Sequence, residues 1–143
     1  MIRIVADTNV YISGTFWPGL NRIVLNLARH EVLSLACSPS ILHELSQTLR
    51  GKKFRLSDFE IDQIVKDVMS YTIPIEEPSL HLPGLRDPKD HFVCSLAMKS
   101  RAKYLVTGDK DLLIMKKIKK IKIVSAREFL EKEFTELIEV YES

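Results

Sequence analysis

The sequence contains few of the residues and segments that mark a zinc, disulfide-rich or membrane protein. Its two cysteines, Cys37 and Cys94, have neither CxxC spacing nor a histidine at ligand spacing, so we interpret them as core thiols. No apolar run approaches the roughly 20 residues that a membrane-spanning helix needs, and no signal-peptide pattern precedes the first apolar segment. We therefore expect a cytoplasmic protein without a membrane partner.

Motifs of several enzyme classes are also missing. The sequence has no GxSxG, GxxxxGK[ST] or GxGxxG motif, which argues against nucleophilic hydrolases, P-loop proteins and dinucleotide-binding enzymes. The formal charge is +2, from 21 basic and 19 acidic residues. If four acids were committed to a metal ion, the rest of the chain would carry about +6, a modest attraction for a polyanion.

Short apolar runs alternate with amphipathic segments along the chain. With 143 residues, 45% of them hydrophobic, the chain fits one domain over residues 1–143, with 131–143 as a C-terminal helical extension. Strands that alternate with helices predict an α/β fold, a doubly wound parallel sheet of about five strands with helices on both faces. The predicted strands cover residues 2–6, 32–37, 71–75, 103–107 and 121–124.

Local signals mark where the helices begin. Ser38 and Pro39 are suited to the N-cap and first residue of a helix, and two S-x-x-E capping boxes begin at Ser57 and Ser125. Thr8 and Asn9 are predicted to cap a short helix that runs to Gly14. Further helices are predicted over 20–29, 88–100 and 110–116, and a single last helix follows Ser125 through Phe134.

Four acidic residues stand at related places in this pattern. Asp7 follows the first strand, Asp109 follows the strand over 103–107, and Glu44 and Asp90 lie in helices. In an open parallel sheet the carboxyl ends of strands share one edge, where ligands bind. We therefore expect the four carboxylates to converge.

Each of these acids also has an ordinary structural explanation. Asp87 and Asp90 suit the first turn of a helix that begins at Pro88, Asp109 suits an N-cap, and Glu44 suits a solvated helix face. A helical wheel aligns Asp90 with Val93, on the core side, so we assign Asp87 to capping and Asp90 to the site.

A cluster of four carboxylates needs cations, because each like-charge contact raises a pKa. Oxygen ligands without histidine or cysteine favour Mg²⁺ or Mn²⁺. Such a site suits in-line phosphodiester hydrolysis by a metal-activated water. Asn9 and Thr107 are expected to orient a carboxylate or the water through hydrogen bonds, although turn capping explains them as well.

These segments together resemble the PIN-domain ribonucleases, and in particular the VapC-like toxin components of toxin–antitoxin pairs. The resemblance covers about residues 1–130 and rests on four motifs, which are Asp7-Thr8-Asn9-Val10, Glu44, Asp87-Pro88-Lys89-Asp90 and residues 106–113. It implies a Rossmann-like three-layer α/β/α sandwich, cleavage of single-stranded RNA with Mg²⁺ or Mn²⁺, and catalytic, metal-binding acids at Asp7, Glu44, Asp90 and Asp109. Asp111 is a fifth candidate ligand. It also implies a homodimer inhibited by a small antitoxin protein.

Basic and aromatic residues near these motifs are candidates for RNA contacts. The basic candidates are Lys52, Lys53, Arg55, Arg86, Lys89 and Lys110. Phe16 and Trp17 are suited to stacking on a base, but the sequence favours packing in a loop or contact with a protein.

Two other functions fit parts of the pattern. One is a catalytically inactive domain of the same fold that binds RNA or protein. The other is a haloacid-dehalogenase-type phosphatase, which also has an Asp after its first strand. That family requires a second Asp two positions later, where this chain has Asn9.

Overall fold

The computed structural model describes residues 1–77 and 88–143. The strands within them are β1 (Arg3–Ala6), β2 (Ser34–Cys37), β3 (Ile73–Pro74), β4 (Tyr104–Val106), β5 (Lys117–Ile118) and β6 (Ile121–Val124). They form one sheet in the order β3-β2-β1-β4-β6-β5, parallel except for the β5–β6 pair. The predicted parallel sheet is confirmed.

The order of the strands reverses at β1. From β1 the chain moves outward to β2 and β3, and then returns to place β4 on the other side of β1. Ala6 pairs with Val106, so the residues that follow, Asp7 and Thr107, leave the sheet side by side. Such a switch point opens a crevice at the carboxyl ends of the strands, which is the usual ligand site of a doubly wound sheet.

Helices cover both faces of the sheet and complete the three-layer sandwich that the sequence predicts. The helices within the described residues are α1 (Thr8–Phe16), α2 (Leu20–Arg29), α3 (Pro39–Leu49), α4 (Asp58–Tyr71), α5 (Pro88–Lys99), α6 (Lys110–Met115), α7 (Ala126–Glu133) and α8 (Thr135–Glu142). Helix α5 packs on β1, β2 and β4, while α7 packs on β4 and β6. Both capping boxes form as predicted, at Ser57 with Glu60 and at Ser125 with Glu128.

The core lies on both sides of β1 and β4. Ile4, Val5 and Leu105 are fully buried, as expected for strands that helices cover on both faces. Cys37 and Cys94 are buried free thiols. Among the described residues, none of the helices combines the length and apolar composition that crossing a lipid bilayer requires.

Several details differ from the prediction. The strand predicted over 71–75 is shortened to β3, because Tyr71 still belongs to α4. The N-cap of α1 is Asp7, whose carboxylate accepts from the Val10 N–H, so Thr8 and Asn9 already lie inside the helix, which ends at Phe16 instead of Gly14. A short antiparallel strand, β5, adds a sixth member to the sheet. The last helical segment divides into α7 and α8 at Phe134, which leaves helical geometry with φ −139°.

Candidate active site

Asp7 stands at the centre of the switch point. Its backbone N–H still donates to the Val106 carbonyl of β4 at 3.2 Å, which continues the strand pairing. Its side chain is buried and accepts hydrogen bonds from the Val10 N–H and the Thr107 hydroxyl. The β1–β4 pairing and the α1 cap together hold this carboxylate in one orientation.

Thr107 links Asp7 to Asp109. While its hydroxyl donates to Asp7 Oδ2, the same oxygen accepts from the Asp109 N–H at 3.0 Å. Asp109 then caps α6, and its Oδ1 accepts from the Asp111 N–H at 2.8 Å. One buried hydroxyl therefore fixes the relative positions of the loops that follow β1 and β4.

Glu44 is brought to the same edge by the β2–α3 connection. Ser38 follows β2 directly and caps α3 through the Ile41 N–H, so the helix begins at the carboxyl end of the strand. Ile41 and Leu45 are buried, and Glu44 between them is half-buried. It lies at the border of the buried stripe of α3, as the sequence predicts.

Asp90 lies in the first turn of α5 and is half-buried. It shares a pocket with Val93, one turn further along, which agrees with the face that the helical wheel assigns to it. The capping assignment of Asp87 falls outside the described residues.

The four predicted acids line one pocket of about 240 Å³. They come from the ends of two adjacent strands and from two helices, and they are separated by up to about 100 residues in sequence. The described lining consists of Asp7, Thr8, Asn9, Ile41, Glu44, Thr48, Asp90, Val93 and Asp109. Coulomb repulsion among the acids therefore favours a cation at this point.

The electrostatic state of Asp7 reflects this setting. Burial raises the pKa of its carboxyl from 3.8 to about 6, and the negative charges of Asp109 and Glu44 add to the rise. The hydrogen bonds from Thr107 and Val10 act in the opposite direction and lower the pKa. In metal-free protein at neutral pH, Asp7 is thus an anion in an environment that disfavours its charge.

Two polar residues of the pocket were not predicted as site residues. Thr8 and Thr48 both line the pocket, and the buried Thr8 hydroxyl has no hydrogen-bond partner among the described residues. A buried hydroxyl is seldom left without a partner, so it implies a ligand or water in the pocket. The only sequence signal for Thr48 is its spacing of four residues after Glu44, which places both on one face of α3.

The other predicted residues differ in their relation to the pocket. Asp111 is exposed on α6 and does not line it, whereas Asn9 does. The connector residues Lys52, Lys53 and Arg55 are exposed, as is Lys110 beside Asp109. Arg86 and the side chain of Lys89 lie outside the described residues.

The donor set fits a hard divalent ion. All the titratable lining groups are carboxylates, the ligand type of Mg²⁺ and Mn²⁺. Within residues 1–77 and 88–143, no three His, Cys, Asp or Glu side chains are already positioned around a common metal point. Because Mg²⁺ usually keeps several waters and binds proteins through one or two carboxylates, a complete protein shell is not required for a fit.

Comparison with solved structures identifies the fold. Among solved structures, one chain of the crystal structure of VapBC2 from Rickettsia felis, bound to a DNA fragment from their promoter, aligns with a TM-score of 0.61. The alignment covers 85% of this chain and 97% of that chain at 18% identity, which shows a shared fold. A search of curated proteins gives no significant match.

The PIN domain family model matches residues 3–111, a range that begins with β1 and contains the four acids of the pocket. This match favours the PIN-domain interpretation over the phosphatase alternative. The chain belongs to the PIN domain family.

Proposed function

We propose that this protein is a divalent-metal-dependent endoribonuclease that cleaves single-stranded RNA. The observation that carries the proposal is the convergence of Asp7, Glu44, Asp90 and Asp109 on one pocket at the switch point of the sheet. Together with membership of the PIN domain family, it supports hydrolysis of a phosphodiester and does not require a protein nucleophile.

The four acids would hold Mg²⁺ or Mn²⁺. Asp111, which lies outside the pocket lining, stays a candidate ligand on the resemblance alone. When bound, such an ion supplies a water of lowered pKa and neutralises charge that develops on the phosphate. Asp7 is the anchor of this arrangement, because the Thr107 hydroxyl and the Val10 N–H hold its carboxylate in place. Asn9 and the unpaired Thr8 hydroxyl, which line the same pocket, would orient the attacking water.

Exposed cations that flank the site motifs in the sequence are suited to the RNA backbone. Lys52, Lys53 and Arg55 extend from the connector after α3, and Lys110 stands beside Asp109. Arg86 and Lys89 join this proposed set from their positions in the sequence. Contacts of this type attract phosphates without selecting bases, so they provide affinity that weakens with salt.

We further propose that the protein is the toxin of a toxin–antitoxin pair and that it forms a homodimer. The support is the resemblance of its motifs to the toxin branch of the family and the fold that it shares with a chain of the VapBC2 structure. A small protein encoded beside it should co-purify with it and suppress its nuclease activity. Light scattering of the purified chain should give the mass of a dimer.

Cleavage of a labelled single-stranded RNA tests the enzymatic proposal. Wild-type protein should cleave with Mg²⁺ or Mn²⁺ and lose activity with a chelator. Asp90→Asn should lower kcat by at least about 100-fold, more than the removal of an outer-sphere partner usually does. Asp67→Asn is the matched control, because Asp67 is an exposed acid paired with Arg29.

Equal cleavage by wild type and Asp90→Asn would indicate a contaminating nuclease and contradict the proposal. RNA binding without metal-dependent cleavage would favour the inactive binding module instead.

A further inference from the structure

Trp17 is an exposed aromatic residue close to the acidic pocket. It is the only tryptophan of the chain, and 54% of its surface is accessible. Tryptophan is usually highly buried, because its indole carries a large apolar surface. A tryptophan that stays this exposed beside a candidate active site is a candidate contact residue.

The backbone of Trp17 is held firmly although more than half of the residue is exposed. Its N–H donates to the Ser13 carbonyl at 3.0 Å, which ends α1. The Arg22 guanidinium then bonds the carbonyls of Gly14 and Thr15 at 3.0 and 3.1 Å, so that it ties the end of α1 to α2. A rigid support of this kind lowers the entropy that an aromatic side chain loses on binding.

Trp17 forms one wall of a groove of about 270 Å³. Asn21, Arg127, Thr107 and Gly108 also line it. Thr107 bonds Asp7, and Gly108 is followed directly by Asp109, so the groove begins within one residue of the acidic pocket. Pockets for drug-sized ligands measure roughly 300–1,000 Å³, and this groove therefore suits a single planar ring system.

The surroundings of Trp17 combine aromatic rings with cations. Its ring lies 5.8 Å from that of Phe16, which stacks on Phe54 at 5.3 Å. The Lys53 ammonium lies 5.0 Å from the Phe54 ring centroid and is exposed to solvent. Aromatic faces with cations alongside are the features by which proteins hold single-stranded nucleic acid.

Arg127 places a second cation at the groove. Its guanidinium pairs with both carboxylate oxygens of Glu142, at 2.9 and 3.2 Å, at the end of α8, and with Glu131 at 3.5 Å. These ion pairs are exposed to solvent, so an RNA phosphate would compete with the two carboxylates for the guanidinium. The groove thus offers a stacking face, the Asn21 amide and an exchangeable cation.

We propose that Trp17 is a base-stacking platform for the RNA substrate, and that it holds a nucleotide near the scissile phosphate in the groove beside the Thr107–Asp109 loop. This inference rests on the proposed ribonuclease function and adds a subsite to it. Trp17 is a positioning residue, because it contacts the substrate away from the reacting atoms. A protein partner at the same surface is the alternative that the experiment must separate.

The single tryptophan allows a direct binding measurement. The Asp109→Asn variant, which should bind without cleaving, is titrated with short oligouridylate in Mg²⁺ while its intrinsic fluorescence is recorded. Stacking should quench the emission, and an abasic oligomer of equal length should quench it far less. Equal quenching by both oligomers would overturn the proposal, because the abasic oligomer has only the sugar–phosphate backbone.

Cleavage kinetics provide the second measurement. Trp17→Ala should raise KM for single-stranded RNA by about tenfold or more, which is about 1.4 kcal/mol, while kcat changes little. Trp17→Phe should retain most of the affinity, since it keeps an aromatic face. Phe59→Ala is the control, because Phe59 is exposed but lines neither the groove nor the acidic pocket.

These outcomes separate the subsite from the nuclease itself. Unchanged KM in Trp17→Ala, with metal-dependent cleavage intact, would overturn the stacking proposal and leave the nuclease proposal standing. Base-dependent quenching without any cleavage by wild type would contradict the nuclease proposal and leave the stacking proposal standing. Loss of dimerisation or antitoxin binding in Trp17→Ala, with RNA binding unchanged, would assign the surface to a protein partner and overturn the proposal.

Discussion

Replacing Asp7 by asparagine should stabilise the metal-free protein at neutral pH. Asp7 is only 8% exposed, and its pKa is raised from 3.8 to about 6 by burial and by the charges of Asp109 and Glu44. Because the folded state holds the proton more tightly than the unfolded state, this group favours folding below pH 3.8. That contribution is lost as pH rises towards about 6.

The size of the effect follows from the two pKa values. The interval from 3.8 to about 6 corresponds to about 3 kcal/mol at 1.36 kcal/mol per pKa unit. Asparagine cannot reproduce both hydrogen bonds to Thr107 and Val10, which costs about 1 kcal/mol. We therefore expect Asp7→Asn to be more stable than wild type by about 2 kcal/mol at pH 7, or about 4–8 °C in Tm.

Thermal unfolding in the presence of a chelator, from pH 4 to pH 8, measures this difference. Near pH 4 the advantage should disappear, since Asp7 is then protonated in the folded wild type. With saturating Mg²⁺ the wild type should gain stability by ligand linkage and Asp7→Asn should gain much less.

Asp67 provides a control in which the expected change in stability at pH 7 has the opposite sign. Its pKa is lowered by the ion pair with Arg29, so Asp67→Asn should weaken the fold slightly at pH 7 and not at low pH. The reasoning is refuted if Asp7→Asn is less stable than wild type at pH 7 without metal, or if its difference from wild type does not depend on pH.

Three further predictions concern individual contacts. Thr107→Val removes the hydroxyl that joins the β1 and β4 loops, so kcat for RNA cleavage should fall about 10–100-fold, whereas Thr107→Ser should retain most of it; equal kinetics for both variants would contradict this role. Gly14→Ala should cost about 1–3 kcal/mol in urea unfolding, because the new Cβ would lie 2.6 Å from the Leu25 side chain; unchanged stability would show that Leu25 can move aside. Ile138→Ala should cost about 2–4 kcal/mol because α8 buries this residue, while the exposed Val140→Ala should change stability by less than about 0.5 kcal/mol; equal effects would show that α8 does not pack in solution.

The parts of the fold that local chemistry determines could be predicted from the sequence. Each capping box marks the start of a helix by a Ser and a Glu within four residues. Both boxes form in the structure, at Ser57 with Glu60 and at Ser125 with Glu128. The bounds of α2 and β6 also agree with their predicted ranges, because each is a clear apolar pattern between turn residues. In these segments, short-range hydrogen bonds and burial favour the same structure.

The missed details depend on tertiary contacts. Strand β5 is two residues long, and the turn that joins it to β6 uses Lys119 with a left-handed φ of 52° instead of a glycine or asparagine signal. Asp7 caps α1 because β1 pairing holds its backbone extended, which the residue types of Thr8 and Asn9 do not reveal. The last helix divides at Phe134, whose ring packs on Phe129 at 5.8 Å, a contact that the sequence does not show.

Part of the candidate site was also predictable from local sequence signals. Strand ends are visible in the sequence, and topology then places Asp7 and Asp109 together. For Glu44 and Asp90 the prediction depended on which face of the helix each occupies, and the apolar residues one turn away indicate that face. Thr8 and Thr48 were missed because a threonine on a helix has no pattern that distinguishes a pocket residue from a surface residue.

The most direct test of the shared cation site is a calorimetric titration with Mn²⁺. Wild type is compared with Asp7→Asn, Glu44→Gln, Asp90→Asn and Asp109→Asn, with the exposed Asp67→Asn as control. We predict one class of site that Mg²⁺ competes for, weakened about tenfold or more in each of the four variants and unchanged in the control. Wild-type affinity in those four variants would show that the acids do not form one metal site, and it would contradict the account.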